Sequence, residues 1–303
     1  MGRLLDLPSA ARLYWGGFEV ERLYRGPIGL WERPVEGGDI AFPAALFTVY
    51  GQCFDPYHPG NLVAAGGAAA TVGGAVGLVP ALGYMVDYGG TTRGPNLAQA
   101  TSGYRPTLIE TEGRRGFAFD GADDRLEATS VTRFEPAFHH TAFAMVHLSS
   151  ATGGVGFCHS RAEASGSYYA MIAAEAATRQ LQPTLRHAST AFVTNTLDVS
   201  ALGGWRLVWI EYDLTAYGAD GGAWRAWIDG VLVRDSLVTP AKSAASNVSI
   251  FTRTTLGCRR NGGVYDNFWN SYLGRCGSID RLFSPSERAT VEAWARGASW
   301  VAP

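Results

Sequence analysis

The sequence predicts an all-β protein, a two-sheet antiparallel sandwich followed by one short helix, and three observations predict it. Short runs of aromatic and β-branched residues recur at regular spacing with turn residues between them. The 38 glycines and 12% aromatics in 303 residues supply tight turns and bulky core side chains. The pair Asp229-Gly230 separates Trp224-Arg-Ala-Trp-Ile228 from Val231-Leu-Val-Arg234, which is the turn chemistry of a two-residue hairpin.

Taken in order, the chain falls into three regions. Residues 1–34 hold short aromatic runs, such as Leu13-Tyr-Trp15, Phe18-Glu-Val20 and Ile28-Gly-Leu-Trp-Glu32, separated by Gly16-Gly17 and Arg25-Gly26-Pro27. This punctuation predicts a small antiparallel ribbon. A ribbon of that size has little core of its own, so it packs on the rest of the chain or docks on a partner. Residues 35–107 are loop-rich, with a turn at Phe54-Asp-Pro-Tyr57 and short strands packed over the sandwich.

Residues 108–303 supply the main strands. Arg115-Gly-Phe-Ala-Phe119 alternates into Asp120-Gly121, and Thr141-Ala-Phe-Ala-Met-Val-His-Leu148 reads as a buried central strand. Trp205-Arg-Leu-Val-Trp-Ile210 places Trp205, Leu207 and Trp209 on one face and Arg206, Val208 and Ile210 on the other. Val248-Ser-Ile-Phe251, Thr255-Leu256 and Ser271-Tyr-Leu-Gly-Arg275 continue the pattern. Ser284-Pro-Ser-Glu287 is an N-cap, a proline in the first turn and a capping-box glutamate. The helix it opens is expected to run through Val291 and Trp294 and to stop near Gly297.

The charge balance excludes some functions. A net charge of −2 with 17% charged residues gives no general attraction to nucleic acid or to an acidic membrane surface. No apolar run is long enough to span a bilayer, and no leader pattern opens the sequence, so synthesis in the cytoplasm is expected. Cys53, Cys158, Cys258 and Cys276 match neither a zinc motif nor a disulfide framework and read as buried thiols. A Cys258–Cys276 bridge stays open, because the two lie on consecutive strands. No nucleophile elbow, phosphate loop or metal-binding histidine spacing occurs, so no catalytic residue and no cofactor is assigned.

Several phrases resemble known families. Phe119-Asp-Gly-Ala-Asp-Asp-Arg-Leu126, Trp227-Ile-Asp-Gly-Val-Leu-Val233 and Leu273-Gly-Arg-Cys-Gly-Ser-Ile-Asp-Arg-Leu-Phe-Ser-Pro-Ser-Glu-Arg288 are similar to phrases of concanavalin A-like and laminin-G-like domains. Together they cover about residues 108–300 and imply a jelly-roll sandwich. Leu46-Phe-Thr-Val-Tyr-Gly-Gln-Cys-Phe-Asp-Pro56, Val76-Gly-Leu78 and Ala98-Gln-Ala-Thr-Ser-Gly-Tyr-Arg-Pro106 resemble a preamble of tailed-phage and prophage structural proteins. Leu13-Tyr-Trp-Gly-Gly17, Leu23-Tyr-Arg-Gly26 and Leu30-Trp-Glu32 resemble a module of phage and gene-transfer-agent fibre and tail proteins. The sequence departs from the preamble in one loop, where Val86-Asp-Tyr-Gly-Gly90 replaces the usual Asp-Lys-Ser-Gly-Asn-Gly. The resemblance implies a virion component of fibre, spike or tail type, contacting other virion proteins through residues 1–34 and host-surface glycan through the sandwich; the alternatives are a structural or decoration protein without glycan binding and a polysaccharide depolymerase. A homo-oligomer is compatible with it.

Candidate sites are few. Glucanases of this fold carry Glu-x-Asp-x-x-Glu, with two glutamates flanking the scissile bond. Here Glu211 and Asp213 occupy the first two positions, but Ala216 stands at the third, which points to binding rather than hydrolysis. The loop 259–270 gathers Arg260, Tyr265, Asp266, Asn267, Trp269 and Asn270, an aromatic face with planar hydrogen-bonding groups suited to sugar. Alternatively, Phe268 and Trp269 begin the next strand and bury. Arg161, Tyr168 and Tyr169 form a weaker second candidate. Asp120, Asp123 and Asp124 could ligate calcium, or Asp120-Gly121 could simply make a turn.

Overall fold

A computed structural model describes residues 13–15, 18–20, 41–47, 51–87, 90–93, 96–128, 139–160, 168–187, 190–191, 196–213, 223–237, 253–261 and 264–297. Within the first region, Leu13–Trp15 pairs antiparallel with Phe18–Val20, as expected for the ribbon. The other aromatic runs of residues 1–34 lie outside the described residues, as do Val248–Phe251 and Arg161.

Two antiparallel sheets form the body. One has eight strands, in the order Val231–Leu237, Ala223–Ile228, Gly204–Asp213, His139–Leu148, Asn270–Ile279, Arg114–Asp120 and Thr107–Thr111, with Gly51–Phe54 also paired to Asn270–Ile279. The other has ten, including Tyr168–Glu175, Gly154–Ser160, Arg253–Leu256 and Leu126–Ala128 along its centre. Short strands Leu78–Val79 and Leu97–Ala98 complete one edge, so the stretch 35–107 contributes strands to both sheets.

Period-two alternation explains why the eight-stranded sheet packs a core against each face. Ala142, Ala144, Val146, Val208, Ile210, Tyr212, Trp224 and Leu273 point toward the ten-stranded sheet and meet Phe157, Ile172, Leu126 and Leu256 there. The residues between them, including Phe143, Met145, Leu207 and Trp209, point outward into a second core with Phe42, Phe47, Phe283, Val291 and Trp294. Phe143 stacks on Trp209 with ring centroids 5.3 Å apart. The helix Pro285–Arg296 supplies the lid of this second core, and its capping box forms as the sequence predicts, with Ser284 accepting from the Glu287 amide.

A bulge sets the most consequential side chain. Against His139–Leu148, the strand Asn270–Ile279 pairs Leu273 with Val146 but Cys276 with Ala144, so one extra residue is inserted. Leu273 and Cys276 therefore both face the inter-sheet core, while Arg275 between them points at the helix. Its guanidinium lies 3.0 Å from the Asp55 carboxylate, both side chains at most 1% exposed. It donates to the carbonyl of Trp294 and, at 3.3 Å, to that of Gly297, and it sits beside the rings of Tyr57 and Trp294. Asp55 also accepts from the Tyr57 amide at 2.8 Å.

A second polar group crosses between the sheets. His159 Nδ1 lies 2.8 Å from Thr254 Oγ1, and His159 Nε2 lies 2.9 Å from Ser278 Oγ. The Thr254 hydroxyl gives its proton to Gln52 Oε1, so Nδ1 donates to Thr254; burial keeps the ring neutral, which leaves Nε2 to accept from Ser278. His140, bonded to Asp280 at 2.8 Å, packs edge-on to it. All four cysteines are buried free thiols; the bridge left open between Cys258 and Cys276 is absent, and Cys258 neighbours Cys158 instead.

Two expectations follow for stability. Asp55→Ala strands a buried guanidinium and should cost about 3–5 kcal/mol in urea unfolding, whereas the double change Asp55→Leu/Arg275→Met should recover most of that loss. A single-variant loss under about 1 kcal/mol contradicts the assignment. Burial pushes the His159 pKa down to about 3, and burial with the nearby His159 pushes His140 well below its ordinary value of 6.5. Each histidine is neutral when folded and protonates more readily when unfolded. Stability is therefore complete above pH 6.5 and drains away as pH falls toward 3. The slope should approach ~1.4 kcal/mol per pH unit for each histidine in that window. Denaturant midpoints of His159→Gln should show a flatter dependence; an equal slope refutes it.

Candidate ligand-binding site

The predicted loop folds as a hairpin, Arg259–Asn261 against Val264–Asp266, laid over the outer face of the ten-stranded sheet. Its register places Arg260 opposite Tyr265 and Arg259 opposite Asp266. Beneath it lies Glu127, whose strand neighbours Leu126 and Ala128 point into the core and so turn Glu127 outward. Glu127 accepts from Arg260 at 2.7 Å, from Arg253 at 2.8 Å and from the Tyr265 hydroxyl at 2.6 Å. Burial opposes its ionisation, but these three donors outweigh burial and hold its carboxyl below the usual range. The Tyr265 hydroxyl is pushed up, by burial first and then by the glutamate it bonds. Arg259 grips Asp266 through two bonds, at 2.7 and 2.6 Å, the planar geometry that favours arginine over lysine. Asn267, in a left-handed conformation at φ 50°, offers its amide oxygen to the same guanidinium.

Of the six predicted residues, the structure therefore joins Arg260, Tyr265, Asp266 and Asn267. Trp269 is a correction: it is fully buried in the inter-sheet core and packs over Gly156, so it cannot meet a ligand. The alternation that starts the strand at Asn270 turns it inward. Asn270 is exposed but pairs with Asp120, beside the acidic turn rather than in the hairpin.

Glu127 escaped sequence reasoning, and so did Arg125 and Tyr104. The Arg125 guanidinium lies 4.4 Å from the centre of the Tyr104 ring and 4.2 Å from that of Tyr265. It donates to the Asp123 carbonyl. Among the described residues, no carboxylate lies within ion-pair distance of it. Arg260 lies 5.0 Å from the centre of the Tyr265 ring. Tyr265 is therefore part of a layered stack of arginines and tyrosines. Tyr104 sits in a short 3-10 turn, Ser102–Tyr104, with no sequence pattern linking it to Tyr265.

The acidic turn behaves structurally at Asp120, whose Oδ1 accepts the amides of Ala122, Asp123 and Asp124 at 2.8 to 3.4 Å. Burial opposes ionisation there too, but those amides hold the Asp120 carboxyl low. Burial and the charge of Asp120 push Asp124 up to about 6. Carboxylate oxygens of Asp120, Asp123 and Asp124 lie within 4.8 Å of one another. Glu211 lies on the helix side of the eight-stranded sheet, 5% exposed, where it accepts from Trp209 Nε1 at 2.9 Å. Burial raises its pKa, with Arg288 of the helix nearby. A glutamate beneath a helix has no access to a polysaccharide. Asp213 pairs with His139 at 3.4 Å, and Ala216 lies outside the described residues.

No protein-family model matches the chain, and no curated protein matches it by sequence. Among solved structures it is similar to the NanB sialidase of Streptococcus pneumoniae, at 14% identity over 51% of this chain and a TM-score of 0.39. A Ruminococcus gnavus IT-sialidase CBM40 bound to alpha2,3 sialyllactose matches at 12% identity, over 50% of this chain and 81% of that one, with a TM-score of 0.40. A structure of botulinum neurotoxin type C, whose cell entry is dependent upon interaction with two ganglioside molecules, matches at 11% identity over 73% of this chain and 51% of that one, with a TM-score of 0.43. The match spans only 24% of the sialidase chain. Likeness at this level carries no functional argument.

Proposed function

We propose that this chain is a virion structural protein of a tailed phage or gene transfer agent whose sandwich binds host-surface glycan. The N-terminal ribbon within residues 1–34 docks it to other virion proteins. The virion assignment rests on the resemblance of the phrases in residues 13–32 and 46–106. The observation that supports glycan binding is the Tyr104–Arg125–Tyr265 stack: a half-buried arginine held between two rings, without a carboxylate partner among the described residues. A stacked guanidinium is pre-organised to donate a planar pair of bonds to sugar oxygens.

A second reading, a structural or decoration protein without glycan binding, draws on a different observation. Arg260, Tyr265 and Asp266 spend their hydrogen bonds on Glu127 and Arg259, as a structural clamp would.

A glycan array probed with the full chain separates the two. The adhesin reading expects binding that falls at least about tenfold in Arg125→Ala, the loss that one charge-assisted contact brings. No glycan bound by the wild-type chain sinks it and leaves the structural reading. The docking element is tested separately by co-purification with virus-like particles. Deleting residues 1–34 should abolish incorporation while the sandwich stays folded, and undiminished incorporation rejects that role.

A further inference from the structure

Among the described residues, the helix and residues 41–47 cover one part of the outer face of the eight-stranded sheet, and Trp205 packs at the margin of that core. Next to that lid, three aromatic side chains from three adjacent strands remain half-buried: Trp205, His147 and Tyr272. Their ring centroids lie 5.5 Å (Trp205 to His147), 5.1 Å (His147 to Tyr272) and 6.3 Å (Trp205 to Tyr272) apart. Trp205 is fixed in place. Its Nε1 donates to the Thr111 carbonyl at 3.0 Å. Its six-membered ring rests on two glycines, since a Cβ on Gly116 would fall 2.6 Å from Trp205 Cη2 and one on Gly274 would fall 3.4 Å from Cζ3.

A carboxylate stands at the rim of these rings. Glu112 occupies the turn between Thr107–Thr111 and Arg114–Asp120 with φ 51°, a left-handed conformation that glycine adopts more easily than glutamate. Its Oε1 lies 3.4 Å from His147 Nε2, and its side chain is 57% exposed. Gly204 makes room for it, because a Cβ there would lie 3.0 Å from Glu112 Oε2.

We infer that this aromatic face is a carbohydrate site, one that takes a hexopyranose residue stacked on Trp205 and Tyr272 with its hydroxyls bonded to Glu112 and His147. A pyranose has an apolar C–H face and a rim of hydroxyls, which matches ring faces edged by an acceptor carboxylate and an imidazole. Among the described residues, the large exposed hydrophobics lie elsewhere, at Val72, Val231, Leu232, Val233 and Val264. This face therefore offers a shallow aromatic floor with a polar edge, which suits a sugar better than an apolar helix or an acyl chain. The site lies on the opposite sheet from Arg125 and does not depend on the glycan reading of that patch.

The test uses the full chain, labelled at its tryptophan indole nitrogens and titrated by NMR with methyl β-D-galactopyranoside and, separately, methyl α-D-glucopyranoside. The Trp205 indole resonance should shift saturably with at least one of them, with a Kd of about 1–10 mM, as expected for one monosaccharide on an open surface. Tyr272→Ala should weaken that binding at least about fivefold. Glu112→Gly relieves the left-handed backbone and should raise the melting temperature while weakening binding, so the loss cannot be blamed on misfolding. A Trp205 resonance that moves with neither glycoside overturns the inference. So does a Glu112→Gly chain that is more stable and binds as tightly as wild type. Because the readout is local to Trp205, failure of the array experiment on the Arg125 patch leaves this result standing, and the reverse holds.

Discussion

Arg275 reaches the interior because one extra residue in its strand turns it away from the inter-sheet core. Its countercharge, Asp55, comes from the early stretch that also supplies a strand to the same sheet. The guanidinium then spends its remaining donors on carbonyls at the end of the helix, Trp294 and Gly297. Three distant parts of the chain, the early strand, the long C-terminal strand and the helix, thus share one buried charge pair. Burying two charges is costly, and an apolar pair of similar volume would serve stability as well or better. What the pair supplies is position. It ties the end of the helix to the sheet, beside the core that holds Phe143 and Trp209.

The same sheet is read differently on its two faces. Toward the ten-stranded sheet its two central strands present mostly small and branched residues, Ala142, Ala144, Val146, Val208 and Ile210, with the larger Tyr212 and Trp224 beside them. Toward the helix it presents rings, Phe143 and Trp209, which fill the wider gap between a sheet and a helix. The polar bridge through His159 sits among Gln52, Thr254 and Ser278 with both ring nitrogens satisfied, so it costs little at neutral pH and becomes a liability in acid.

Much of this was legible in the sequence. The alternation of Trp205, Leu207 and Trp209 against Val208 and Ile210 matches the two cores, and Ser284-Pro-Ser-Glu287 opens the helix as its chemistry requires. The Asp229-Gly230 hairpin forms with Asp229 at φ 52° and Gly230 at φ 82°. Other features were hidden for physical reasons. Asp55 precedes a proline and reads as a turn, and nothing local shows that its carboxylate is buried against a strand far along the chain. Glu127 lies in a strand of three residues, too short to show a period. Trp269 looks like a sugar platform among Asn267 and Asn270 until the register of its strand turns it inward. Trp205 and Tyr272 were visible as strand residues, but nothing local shows how far the helix reaches over their face of the sheet.

The long strand Asn270–Ile279 has one further consequence, for the order of events during synthesis. It lies beside His139–Leu148, Arg114–Asp120 and Gly51–Phe54, elements made much earlier. Until residues 270–279 leave the ribosome, those strands have an unfilled slot between them and unpaired backbone along its margins. The nascent chain therefore waits with its sheet split and its sticky edges bare, the state in which a β-protein is most exposed to aggregation and most in need of a chaperone.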